Sequence, residues 1–211
     1  MSKIIAFSGR KQSGKSTAGE FVQDFIEDNG LPLTHKIYSF ADPLKQDICM
    51  NLLGLSESQC YGTDDDKNTL TNVRWMDMPL EIQQRHTADM VANEYLTARQ
   101  VMEVVGTEIF RRMYGNVWVR ATMNKISKDN LDIAVIVDCR FPNESDAILD
   151  QGGYVIRLDL DPFHSTSNSE SALDPINYNW SKFSTVINNS TMAIEQKNHE
   201  ILKFLNGLGV I

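Results

Sequence analysis

Residues 7–17 read FSGRKQSGKST, and within them Gly9, Gly14, Lys15 and Ser16 match every fixed position of the pattern G-x-x-x-x-G-K-[ST]. In a chain this long such a match arises by chance with a probability of roughly 1%. The glycines let successive backbone N–H groups converge on an anion with no Cβ in the way. A helix starting directly after the loop adds its own N-terminal N–H groups and dipole. Lys15 is then expected to reach the β- and γ-phosphates of a nucleotide and Ser16 to ligate Mg²⁺. Lys11, Ser13 and Thr17 complete the expected ATP-binding loop. The flanks agree with this reading. Ile4-Ile5-Ala6-Phe7 is a short apolar run fit for a buried strand, and Ala18, Phe21, Val22, Phe25 and Ile26 recur at helical spacing until Asn29-Gly30 stops them.

Composition narrows what the nucleotide is for. The 211 residues, 42% hydrophobic and 23% charged, are ordinary for a globular domain. They suffice for a sizeable core without staples. A net charge of −8 argues against a general nucleic-acid binder, whose affinity would rest on Lys and Arg, while leaving room for a local basic pocket. Cys49, Cys60 and Cys139 are odd in number, widely spaced and without CxxC or Cys/His metal spacing, which points to a reduced, cytoplasmic protein with buried thiols. The apolar run at the N-terminus is too short for a signal-peptide core or a membrane span.

Strands and helices alternate along the rest of the chain. A strand is expected at 36–40, a helix near 43–53, and an irregular polar stretch over 55–95 in which Tyr61–Asp66 reads as a solvated acidic loop. Thr97 is a candidate N-cap for a helix bearing Val101, Met102, Val105 and Ile109 on one face, and another helix follows from about Val117. Ile133–Asp138 is a continuous apolar strand ending in a carboxylate. A helix over 143–149, strands at 154–158 and 185–187, and a closing helix over 191–205 complete the pattern. Nearly continuous apolar strands between helices predict an α/β fold with a parallel sheet covered on both faces.

A phosphoryl transferase also needs an anion site for its acceptor, with arginines that neutralise charge. Arg99, Arg111, Arg112 and Arg140 are candidates. Arg140 is the best placed, two residues beyond the strand ending in Asp138, at the carboxyl end where ligands of open parallel sheets bind. Asp138 is a candidate to orient Mg²⁺-bound water, to contact the acceptor, or to cap the next turn. Glu144, on the first turn of the following helix, also fits a residue that complements the helix dipole.

The ordered set SFADPLKQ (39–46), TARQVMEVVGTEIFR (97–111), VWV (117–119) and VIVDCRFPNE (135–144), following the glycine-rich loop, resembles the deoxynucleoside monophosphate kinases of bacteriophages. The likeness is weak only over 55–95 and 160–182. It implies a P-loop NTPase-type three-layer α/β fold over 1–211, with a mostly helical acceptor-binding insertion over 41–130 and a lid over 160–182. It implies Mg²⁺ and transfer from ATP to deoxynucleoside monophosphates, in host cytoplasm if phage-encoded, with a homodimer common in the family and neither nucleic-acid polymer nor membrane as partner. The acceptor range in that family includes dGMP and dTMP, with a cytosine nucleotide or its modified form in some members.

By matched positions, the resemblance places Asp42, Leu44 and Lys45 in the acceptor pocket and Arg99 on the monophosphate. Gly106, Thr107 and Trp118 would shape the site, and Asp138, Arg140 and Glu144 would face the acceptor. VINNS (186–190) resembles the adenine-reading loop, with Asn188 or Asn189 as its polar readers or, alternatively, a plain turn. Two departures stand out: Leu160-Asp161 where a basic residue is common, and Ser167 in place of His in a His-x-Ser/Thr-Glu stretch ending at Glu170, with His164 three residues earlier and Arg157 available to compensate. Two rivals remain at this point: another small-molecule P-loop kinase, such as a dephospho-coenzyme A kinase, and a nucleotide-dependent switch. Asn124-Lys125-Ile126-Ser127 lacks the Asp that guanine-specific switches carry.

Overall fold

The computed structural model describes residues 2–162 and 168–211. In chain order the strands are β1 (Lys3–Ser8), β2 (His35–Tyr38), β3 (Leu70–Arg74), β4 (Tyr95–Thr97), β5 (Ile133–Cys139), β6 (Tyr154–Leu158) and β7 (Thr185–Ile187). The α-helices are α1 (Lys15–Asp28), α2 (Glu57–Tyr61), α3 (Asp64–Lys67), α4 (Leu80–Arg85), α5 (Thr87–Ala92), α6 (Ala98–Glu103), α7 (Val117–Asp129), α8 (Pro142–Asp150), α9 (Asn168–Ser171) and α10 (Ile194–Gly207). Pro43–Met50 and Val104–Arg111 are wound as π-helix, the second continuing directly from α6.

The chain divides into two compact units, Met1–Phe40 with Ala121–Ile211, and Ala41–Arg120. The first is built on a five-stranded sheet in the order β2-β5-β1-β6-β7, every pairing parallel. β1 is its central strand, which explains why Ile4–Phe7 has no polar alternation: both faces are covered. Ile5 and Phe7 are fully buried in a core shared with Ala18, Val22 and Ile26 of α1 and Ile201 and Leu205 of α10. The chain leaves β1 for the β5 side and returns to the β6 side, so the loops after β1 and β5 open side by side at the carboxyl end of the sheet, the switch point of such folds.

The second unit has its own core of Leu44, Cys49, Cys60, Trp75, Leu96, Val101 and Val105. It holds the antiparallel pair β3–β4 and the helix that runs from Ala98 through Arg111. Thr97 caps that helix, with a capping box to Gln100.

Several expectations need correction. Tyr61–Asp66 is not a loop: α2 ends at Tyr61 and α3 starts at Asp64, because Thr63 and Asp66 form a capping box and three acidic residues complement the helix N-terminus. The 55–95 stretch contains β3 and short helices. The closing helix begins at Ile194. Of the proposed lid, 163–167 lies outside the described residues, and with it His164 and Ser167. All three cysteines are buried and free. Among the described residues no helix is long and apolar enough to cross a membrane.

Candidate active site

The glycine-rich loop leaves β1 at Ser8, which lies in register with Cys139 of β5 on one side and Arg157 of β6 on the other. Gly9 is required by close approach. A Cβ there would meet Ser13 Oγ at 2.3 Å and the Leu158 carbonyl oxygen at 2.8 Å. Ser13 N–H donates to Arg10 O at 3.1 Å, and Gln12 adopts a left-handed conformation (φ 59°) that side chains rarely take, a local strain held by the loop.

Lys15 is the first residue of α1 and is buried. Its ammonium turns back across the loop, donating to Gly9 O at 2.8 Å and Arg10 O at 2.7 Å. Burial, reinforced by the nearby charge of Arg140, lowers its pKa to about 7, while Glu170 pulls it the other way. Ser16 is exposed at the head of the helix, a hard oxygen donor of the kind Mg²⁺ accepts. Thr17 Oγ1 donates to Gly14 O at 3.0 Å and receives a bond from Lys197 Nζ at 3.3 Å.

Asn189 is buried, and its Nδ2 donates to Ser13 O at 3.0 Å, tying the loop after β7 to the phosphate-binding loop. Its Oδ1 and the Ser13 hydroxyl are buried without a hydrogen-bond partner among the described residues. Asn188 instead closes a turn, its Oδ1 accepting from Ser190 N–H at 3.2 Å and Ser190 Oγ at 2.7 Å.

At the end of β5, Asp138 accepts from Ser39 Oγ at 2.5 Å and from Phe40 N–H at 2.8 Å, clasping the segment after β2. Glu144 is buried, and its Oε2 accepts from the N–H groups of Arg140 (2.8 Å) and Phe141 (3.1 Å), the geometry of a helix cap. Arg140 itself donates Nη1 to Glu170.

The 41–120 unit gathers most of the other sequence-predicted residues. A Cβ on Gly106 would meet Leu44 Cδ2 at 2.5 Å, and Trp118 Nε1 donates to Gly106 O at 3.1 Å, so Leu44, Gly106 and Trp118 form one packed group. Asp42 accepts from Tyr61 O–H at 2.9 Å, and Lys45 lies over the Tyr61 ring, 4.4 Å from its centre. Arg99 is held by Asn68 Oδ1 (3.0 Å) and Asp64 Oδ1 (2.8 Å), and Thr107 is exposed. Arg112 pairs at the surface with Glu81.

Sequence reasoning named Arg157 as a compensating cation but missed the pairing of Arg10 with Asp174 and Asp161 that makes a ring of charge around the loop. Arg157 is buried within β6, with Nη1 on Ser8 Oγ at 3.3 Å and its guanidinium 5.2 Å from the Trp180 ring centre. Asp174 Oδ2 lies 2.5 Å from Arg10, whose other face pairs with Asp161 at 3.0 Å. Arg157 alone carried a visible signal, being a charged residue inside an apolar strand. The acidic partners come from distant segments, and no local pattern marks them.

No protein-family model matches the chain. The chain is similar to solved structures of a shikimate kinase from Aquifex aeolicus (14% identity, TM-score 0.49, 98% of each chain) and an APS kinase from Mycobacterium tuberculosis (11%, 0.42, 97% of each), scores at which the likeness carries no weight. Curated relatives are more informative. A protein of Escherichia phage T5 named deoxynucleoside-5'-monophosphate kinase is 24% identical, with 76% of each chain covered. One named as a deoxynucleotide monophosphate kinase, from Acanthamoeba polyphaga mimivirus, is 34% identical over 159 residues, 74% of this chain and 73% of that one. Identity at that level over that length shows that the chain belongs to the deoxynucleotide monophosphate kinase family.

Proposed function

We propose that the protein phosphorylates deoxynucleoside monophosphates from ATP, giving dNDP and ADP for DNA precursor synthesis in the cytoplasm. The observation that carries this reading is the β1–loop–α1 cradle, with Lys15 turned onto the Gly9 and Arg10 carbonyls, in a chain of this family. The amides of the 9–17 loop bind the donor phosphates. An arriving phosphate draws the Lys15 ammonium off the carbonyls and stabilises its charged form. Ser16 would hold Mg²⁺ together with the nucleotide's own oxygens, with Asp138 at the neighbouring strand end, and the ion would supply further charge neutralisation. Asn188 and Asn189 follow β7, on the adenine side of the donor.

Arg99 holds the acceptor phosphate, while Leu44, Gly106 and Trp118, with Asp42, Lys45 and Thr107 of the same unit, shape the acceptor site. Glu144 fixes the backbone at Arg140. The acceptor phosphate is already an anionic nucleophile, so a general base has little to do. Positioning and charge neutralisation carry the rate. The test is a panel of dNMPs, with dephospho-coenzyme A alongside, incubated with ATP and Mg²⁺. Turnover of at least one dNMP is expected, and phosphorylation of none of them refutes the assignment.

A further inference from the structure

Glu170 places a carboxylate where the phosphate-binding loop is built to receive an anion. The side chain is buried, and its two oxygens accept from the backbone N–H of Lys11 and from Nη1 of Arg140. Its charge also reaches Lys15, whose proton it helps to retain. A loop amide beside a left-handed residue, an arginine and the loop lysine are the donors that hold a phosphate oxygen. Carboxylate and phosphate present the same acceptor chemistry to them, so both cannot keep the same donors.

The neighbouring acids repeat the arrangement. Asp174 sits on Arg10 and lies 3.8 Å from buried Arg157, and Asp161 takes the other side of Arg10. The cations of the cradle are therefore balanced by carboxylates of the chain itself.

We propose that Glu170 is an internal competitor of the nucleotide: its carboxylate occupies the Lys11 amide and Arg140 in the ligand-free protein, and the incoming phosphate displaces it. The inference rests on the 9–17 loop being the nucleotide phosphate site. Once displaced, Glu170 has to leave its buried position, because a buried carboxylate stripped of its partners is strongly unfavourable. Nucleotide affinity is thus set against this internal contact.

Glu170→Gln keeps the shape and removes the charge. Calorimetric titration of the full chain with inorganic tripolyphosphate and with ADP, without divalent metal, is expected to show the variant binding both about tenfold more tightly than wild type. Unchanged or weaker binding by the variant overturns the competitor role. Hydrogen exchange on the wild-type protein gives a measurement independent of the variant's folding: saturating tripolyphosphate is expected to speed amide exchange over 170–174, and unchanged or slower exchange overturns the proposal. Binding that Lys15→Ala abolishes but Glu170→Gln leaves unaltered removes the competitor role alone. A wild-type protein that binds neither probe removes the phosphate-loop reading and this inference together.

Discussion

Burial away from water, and then the nearby charge of Arg140, weaken the hold of Lys15 on its proton and bring its pKa to about 7, although its ammonium donates to two carbonyls. A bound phosphate favours the charged form, so the pKa rises on binding and a proton is taken up. ADP affinity is therefore expected to fall as the pH rises above about 7. Calorimetry in buffers of different ionisation enthalpy reads the uptake directly, and uptake that is unchanged in Lys15→Ala would assign it elsewhere. The same substitution should abolish phosphoryl transfer while leaving the fold intact, as read by circular dichroism. Arg99→Ala should raise the acceptor KM by at least about tenfold and leave that of ATP nearly unchanged, as expected for losing one charge-assisted contact to a phosphate. The position of Lys15, directly after the glycine-rich loop at the head of α1, was legible from spacing alone. The perturbation of its pKa was not, because it arises first from burial and then from Arg140, and both exist only after β5 pairs with β1.

Within the 41–120 unit the helix from Ala98 to Arg111 organises its surroundings at two points. Gly106 packs closely against Leu44 and accepts from Trp118, and Gly106→Ala drives a Cβ to 2.5 Å from Leu44 Cδ2. Displacing Leu44 should weaken the acceptor and leave ADP binding unaltered, as steady-state kinetics and calorimetry together would show. Further along, Glu108 accepts from His86 Nε2 at 2.6 Å and also pairs with Arg85, while Asp89 lies 3.0 Å from His86 Nδ1 and Trp75 stacks on the ring. Both ring nitrogens face carboxylates, so the imidazolium is the favoured form. Asp89 first, then Glu108, raise the pKa above the ordinary value.

A raised folded pKa means stability that is fully present below the unfolded histidine value, near 6.5, and lost as the pH rises through the folded one. His86→Ala should cost about 1 kcal/mol at pH 6 and clearly less at pH 9. Urea midpoints at the two pH values check this, and equal losses would assign the effect to the Trp75 stack. The helix and its Thr97 cap were readable from periodicity. The π-winding of Val104–Arg111 and the clasp by His86 were not, since neither has a local sequence signature.

On the scale of the whole molecule, each of the two compact units carries its own core. Leu96 is fully buried in the second, and Leu96→Ala should destabilise that unit by about 3 kcal/mol. Acceptor-dependent turnover should then fail at a lower temperature than ADP binding, and loss of both at one temperature would show that the units unfold together. The sequence by itself determined the parallel α/β sheet, the phosphate-binding loop and its lysine, and the family, because hydrophobic period, glycine spacing and ordered motifs are local properties of the chain. Only the tertiary structure decided that Asp138 clasps Ser39, that Asn189 anchors the loop through Ser13, and that Glu170 and Asp174 neutralise its cations. Those pairings join residues far apart in sequence, and their energy depends on distance and burial, which appear only after the strands have found their order.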